Sequence, residues 1–280
     1  MKIHECQAKQ ILSRYGINIP KGGIAYTPGE AKRVAQRISP QGPWMMKAQI
    51  QSGARAEGHF LEKSAGRQGG IRFLTGRKDI FEEAQKMLGS TLVTKQTGAK
   101  GKLVSKVYIE QYMPCERTFY ASLVIDRMIP CVTLLIAAST TNIMDMAVNE
   151  PDKILRINLG LNDKISACQL DRIMDFLKLD GKCRKGLKSF INGMHQAFMD
   201  LDAIMMEVNP VGIDVKGTLT ALDAKISFDD NALFRHPDIV QMHDDYEDAD
   251  RVLKAAKYGF QYQEFDDGSI GCIVNGDGIA

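Results

Sequence analysis

The sequence predicts an α+β fold in two lobes. Helix and strand patterns alternate irregularly instead of repeating as βα units, and two pairs of apolar segments read as antiparallel hairpins. A length of 280 residues, 44% of them hydrophobic, suits two domains or one domain divided into two lobes. No internal repeat or low-complexity tract is present. A formal charge of +2, with Lys and Arg spread among nearly as many acids, supplies no basic face for nucleic acid. The opening MKIHECQAKQ lacks the apolar core of a signal peptide, and the apolar run 131–138 is too short to span a membrane. A cytoplasmic protein is expected. Cysteines 6, 115, 131, 168, 183 and 272 form no C-x-x-C pair and read as reduced, mostly buried thiols.

The elements follow in order. Ala8, Ile11, Leu12 and Tyr15 at helical spacing, with Gly16 after them, predict a first helix. A strand ending at Tyr26 precedes Thr27-Pro28-Gly29-Glu30, which has the form of a capping box. Ala31, Val34, Ala35 and Ile38 supply the buried stripe of the helix it opens. WMMKAQI (44–50) reads as a buried strand and 71–75 as another. A helix over 78–88 is expected to bury Phe81, Ala84, Met87 and Leu88. Strands are predicted over 103–112, 118–126, 128–138 and 154–159, and helices near 166–179 and from Leu187 to Leu201. Residues 241–268 read as a surface helix and linker, and 270–274 (IGCIV) as a final strand.

The stretch from Met206 to Ile239 carries the most chemistry. Lys216-Gly217 is a turn dipeptide between two apolar segments, one bearing Glu207 and Asn209, the other Asp223 and Lys225. Strand alternation puts each pair on one face, and a bend at Gly217 sets Asn209 level with Asp223. A carboxylate beside an amide oxygen suits Mg2+, which keeps much of its shell for water and phosphate. The alternative is a half-exposed hairpin whose polar residues are merely solvated.

Three further pieces fit a nucleotide site. Lys47, in the middle of an apolar strand, needs either an anion or a way out to solvent. The Gly/Ala-rich loop 53–58 can aim N–H groups and Arg55 at phosphate, although it matches neither a Walker loop nor G-x-G-x-x-G. Glu110, near a strand end, can accept from an adenine amine or a ribose hydroxyl, or be only a polar strand end. The five histidines show no metal-ligand spacing, His195 reads as a packed structural histidine, and no G-x-S-x-G elbow anchors a hydrolase triad.

With IHECQAKQIL, WMMKAQI, VYIEQY, MMEVNPVGIDVKGTLTALDAKISFDDNALFRHPDI and IGCIVNGDGIA, the chain resembles succinate–CoA ligase β subunits, which are ATP-grasp proteins. Malate–CoA ligase β subunits are nearly as similar. The resemblance implies an ATP-grasp domain over 1–240 with a smaller lobe at roughly 20–105. It further implies a linker over 241–268 and, over 269–280, the first strand of a further CoA-ligase domain. It implies that ATP is held by Lys47, Ala54, Arg55, Ala56, Glu110, Met113 and Thr118. Mg2+ would sit on Asn209 and Asp223 with Glu207 beside them, and Asn275 would face the dicarboxylate substrate or its phosphate. The partner it implies is an α subunit that binds CoA and carries the phosphorylated histidine, a role none of the five histidines here fills.

Three departures bear on this. The family's GGRGK loop is Gly53-Ala54-Arg55-Ala56-Glu57 here, and each Ala costs about 1 kcal/mol if the backbone must be left-handed. Thr118 stands where the family has a glutamate, and 139–144 reads as a shortened form of an acidic stretch. A subunit that has kept the fold for binding or assembly, without turnover, is the competing expectation.

Overall fold

The chain enters its first helix, Glu5–Arg14 (α1), through the His4 N–H, which donates to Gln7 Oε1 at 2.9 Å. It leaves through Gly16, whose φ of +79° lets the Ile17 N–H turn back to the Leu12 carbonyl. This computed structural model describes residues 1–126, 129, 131–141, 143–160, 164–244, 250–260, 262 and 269–275. They belong to two compact units, Met1–His243 and Asp244–Ala280.

In the first unit, Gly22–Ala25 (β1) leads to the helix Pro28–Ile38 (α2). Thr27 Oγ1 accepts the Glu30 N–H as predicted, but the reciprocal bond is displaced: the Glu30 carboxylate accepts from Tyr26. Then come Trp44–Ala48 (β2), His59–Phe60 (β3), Ile71–Leu74 (β4), Arg77–Met87 (α3), Thr91–Val93 (β5), Lys102–Leu103 (β6) and Val107–Gln111 (β7). β1, β7, β2 and β4 form, in that order, an antiparallel sheet, with α2 and α3 packed on it. The core between them runs from Ala25 to Ile109 and includes Trp44, Met46, Ile80, Ala84 and Met87.

The remainder builds a second sheet from Arg117–Asp126 (β8), Cys131–Ala137 (β9), Ile154–Leu159 (β10), Ala203–Ile213 (β11), Leu219–Ala221 (β12) and Ala224–Phe228 (β13). Its order is β10-β9-β8-β11, with β12 and β13 following each other along the free side of β11. The helices Ala167–Leu177 (α5) and Arg184–Asp200 (α6), together with α1, pack against it through apolar stripes. A short helix, Ile143–Asn149 (α4), precedes β10, and Pro237–Val240 (α7) follows β13. The second unit contributes one helix among the described residues, Asp250–Ala256 (α8). No described helix is long and apolar enough to cross a membrane.

Several expectations are corrected. The strand expected over 103–112 is split: β6 belongs to a three-stranded sheet with β3 and β5, and β7 begins only at Val107. Val104 bonds to Ser90 at the crossing, which ends the first pairing and frees the chain to join another sheet. α3 buries Ile80, Ala84 and Met87, and Phe81 is exposed. The short helix α4, Ile143–Asn149, has no counterpart among the elements expected from the sequence. Only Cys6 and Cys183 are buried, and all six thiols are free; Cys168 faces solvent, off the α5 stripe of Leu170, Ile173, Met174 and Leu177. The segment 269–275 is not a strand, and Ile270 and Ile273 are exposed; a strand needs a neighbour for its N–H and C=O groups. Residues 245–249, 261, 263–268 and 276–280, in the expected linker and stub, lie outside the described residues.

Candidate functional site

Six charged side chains meet where α1 touches the four-stranded sheet and the end of β12. Glu5 is the hub. Its Oε1 lies 2.8 Å from Lys47 Nζ and 2.9 Å from Lys9 Nζ, and its Oε2 lies 2.6 Å from Arg55 Nη2. Glu110 holds Lys9 at 2.5 Å and Lys47 at 2.7 Å, and Arg55 Nη2 also reaches Asp223 Oδ2 at 2.6 Å. Three carboxylates thus balance three cations, and all but Asp223 are at most 5% exposed. Such a network persists in a dry setting only because every charge has partners; removing one member leaves another uncompensated. Burial alone would raise the Glu5 carboxyl, but Lys47, Lys9 and Arg55 outweigh it and hold it well below the usual carboxylate range. Burial would likewise lower Lys9, but Glu110 and Glu5 raise it above an ordinary lysine.

Beside this network, the backbone of the second sheet is interrupted. β11 pairs with β13 up to Val208 and with β12 from Val211, so Asn209 and Pro210 face the gap left by Leu222 and Asp223. The Asn209 N–H donates to the Asp223 carbonyl at 3.1 Å, which sets the two residues level across the strands as predicted. Asn209 Nδ2 donates to the Thr140 carbonyl at 3.1 Å, and the Asn209–Pro210 peptide is cis. Two buried oxygens there have no hydrogen-bond partner among the described residues: Asn209 Oδ1 and Asp223 Oδ1. Buried acceptors left this way are costly unless a ligand meets them. Their oxygen chemistry fits a hard cation that takes few protein ligands, and among the described residues no cluster of three or more His, Cys, Asp or Glu offers an alternative metal site.

The loop after β2 faces the same region. Gly53 donates to Gln96 Oε1 at 2.6 Å, Ala54 takes a left-handed φ of +55°, and Arg55–Glu57 form one 3-10 turn. Only the first of the two alanines therefore sits where glycine is favoured. Glu57 is exposed and pairs with Lys95 at 3.6 Å.

The structure brings Lys47, Arg55, Glu110 and Asp223 into one network and puts Asn209 beside it. The solvent-facing alternative for Lys47 is overturned: β2 is a central strand, and the three N–H donors of its ammonium meet Glu5, Glu110 and the Leu222 carbonyl. Both Glu207 oxygens have protein partners, Lys225 at 3.2 Å and Tyr120 at 3.3 Å. Ala54 and Ala56 are exposed on the loop, Met113 is half-buried between β7 and β8, and Thr118 is exposed on β8 opposite Gly212. Asn275 is an exposed residue of the second unit. Glu5, Lys9 and Thr140 were not foreseen. Glu5 and Lys9 are spaced i, i+4, the pattern of an ordinary surface pair, so the sequence offered no sign of their burial.

Residues 2–213 match the family model of the ATP-grasp domain. The β subunit of ADP-forming succinate–CoA ligase from Rhodospirillum rubrum is 42% identical over 284 residues, covering 100% of this chain and 70% of that one. ATP citrate lyase from Methanothrix soehngenii, solved with citrate and coenzyme A, shares the fold with a TM-score of 0.61 at 13% identity, over 91% of this chain and 59% of that one. The dinucleotide-forming acetyl-coenzyme A synthetase 1 of Ca. Korarchaeum cryptofilum gives a TM-score of 0.59 at 14% identity, over 81% and 93%. The chain belongs to the ATP-grasp family, among the β subunits of ADP-forming succinate–CoA ligases.

Proposed function

We propose that this chain is the nucleotide-binding part of an ATP-dependent acid–CoA ligase. It takes ATP with Mg2+, and with an α subunit bearing a phosphohistidine it serves the conversion of succinate, CoA and ATP to succinyl-CoA, ADP and phosphate. The observation that carries the reading is the pair of unpartnered buried oxygens, Asn209 Oδ1 and Asp223 Oδ1, in a chain of this family. Mg2+ bound there would supply charge neutralisation for the phosphates.

The chain's own residues do the positioning. Arg55 draws Asp223 Oδ2 to one side, and Thr140 fixes the Asn209 amide, so that both free oxygens remain available. The Gly53–Glu57 loop faces the phosphates. Lys47 and Arg55 come into direct contact with them by exchanging a carboxylate partner for a phosphate oxygen. Glu110, released by such an exchange, accepts from the nucleoside, with Ala54, Ala56, Met113 and Thr118 nearby; Asn275 serves the dicarboxylate.

Isothermal titration of the full chain with ATP, in Mg2+ and in EDTA, tests this reading. Binding that depends on Mg2+ is expected. An absence of heat in both conditions, with the protein folded, rules the reading out.

A further inference from the structure

Three cations stand near Asn209 and Asp223, and they are not equivalent. The N–H donors of Lys47 are all taken, at 2.8, 2.7 and 2.6 Å. Arg55 is buried and bonded to Glu5, Asp223 and the Ala48 carbonyl. Lys225 differs on both counts: its side chain is 37% exposed, and among the described residues its ion pair is with Glu207 alone, at 3.2 Å. It lies on β13 two residues after Asp223, and β13 pairs it directly opposite Glu207.

Its position relative to the loop is equally specific. A Cβ placed on Gly53 would lie 2.7 Å from Lys225 Nζ, so the ammonium sits against the backbone at the loop's first glycine. An anion held on that loop would meet Lys225 without any buried ion pair being broken. Glu207, fixed on its other side by the Tyr120 hydroxyl at 3.3 Å, keeps the ammonium from swinging away. An N–H···phosphate bond of this kind is charge-assisted and shorter than the 3.2 Å contact it has now.

We propose that Lys225 is a phosphate-binding residue of this site, meeting the polyphosphate end of the nucleotide from the β13 side while Glu207 positions it. The proposal rests on the reading that ATP binds here.

The test is titration of the full chain and of Lys225→Met, Lys225→Arg and Glu207→Gln with MgATP and with adenosine. Lys225→Met is expected to weaken MgATP at least about tenfold and to leave adenosine within about twofold, with Lys225→Arg recovering most of the loss. Glu207→Gln is expected to weaken MgATP less than Lys225→Met does. Wild-type binding of MgATP with unchanged affinity in Lys225→Met overturns the role of Lys225 and leaves the functional reading standing. Equal losses for MgATP and adenosine also overturn it, since that marks a structural effect. A wild-type chain that binds neither ligand overturns both.

Discussion

Arg55 and Asp223 share one contact, Nη2 to Oδ2 at 2.6 Å, and it leaves the other Asp223 oxygen buried without a partner. A guanidinium can do this because its fork also reaches Glu5 Oε2 and the Ala48 carbonyl. Arg55 is therefore both a structural tie between the loop, α1 and the second sheet, and the group that aims Asp223.

Arg55→Met should destabilise the fold by about 3–5 kcal/mol, because Asp223 loses its cation and Glu5 loses one of three. The single tryptophan, Trp44, is fully buried in β2 and reports unfolding of that core. Urea denaturation followed by its fluorescence checks this, and a loss below about 1 kcal/mol would mean that the network is not closed as described.

The network also has a pH signature. Glu5 is held below its unfolded value of about 4.3, so its contribution is complete above that pH and is lost as the pH falls through the lower, folded value. Lys9 is raised, so its contribution is complete below about pH 10.4 and is lost only as the pH rises through its higher folded value. Stability should fall on the acid side below about pH 4.3, and less steeply in Glu5→Gln than in the wild type. Identical acid limbs in urea midpoints measured across pH would remove Glu5 from the centre of the network.

The two loop alanines should answer differently to the same change. Ala54 sits at φ +55°, where glycine relieves about 1 kcal/mol of strain, so Ala54→Gly should stabilise. Ala56 lies within the 3-10 turn, where glycine adds only chain entropy, so Ala56→Gly should cost about 0.5–1 kcal/mol. Paired urea melts decide it: a shift of the same sign in both variants would contradict the left-handed assignment.

Much of the Asn209–Asp223 end of the candidate site was legible in the sequence. Gly217, at φ +82° in a turn closed on Asp214, fixes the bend, and counting strand residues back from it sets Asn209 against Asp223. Lys47 was legible as an anomaly, but its partners were not: Glu5 and Lys9 flank an apolar helix stripe and look solvated until the four-stranded sheet covers them. Thr140 lies far from Asn209 in sequence and contributes only a backbone carbonyl, which no residue pattern marks. The small β3-β5-β6 sheet escaped because strands of two or three residues carry no period.

Metal dependence at Asp223 tests the site most directly. ATP affinity is measured by calorimetry in Mg2+ and in EDTA, on the wild type and on Asp223→Asn, with folding of the variant checked by circular dichroism. A metal seated on Asn209 and Asp223 predicts a large gain from Mg2+ in the wild type that mostly disappears in the variant. An equal Mg2+ gain in both proteins would contradict it.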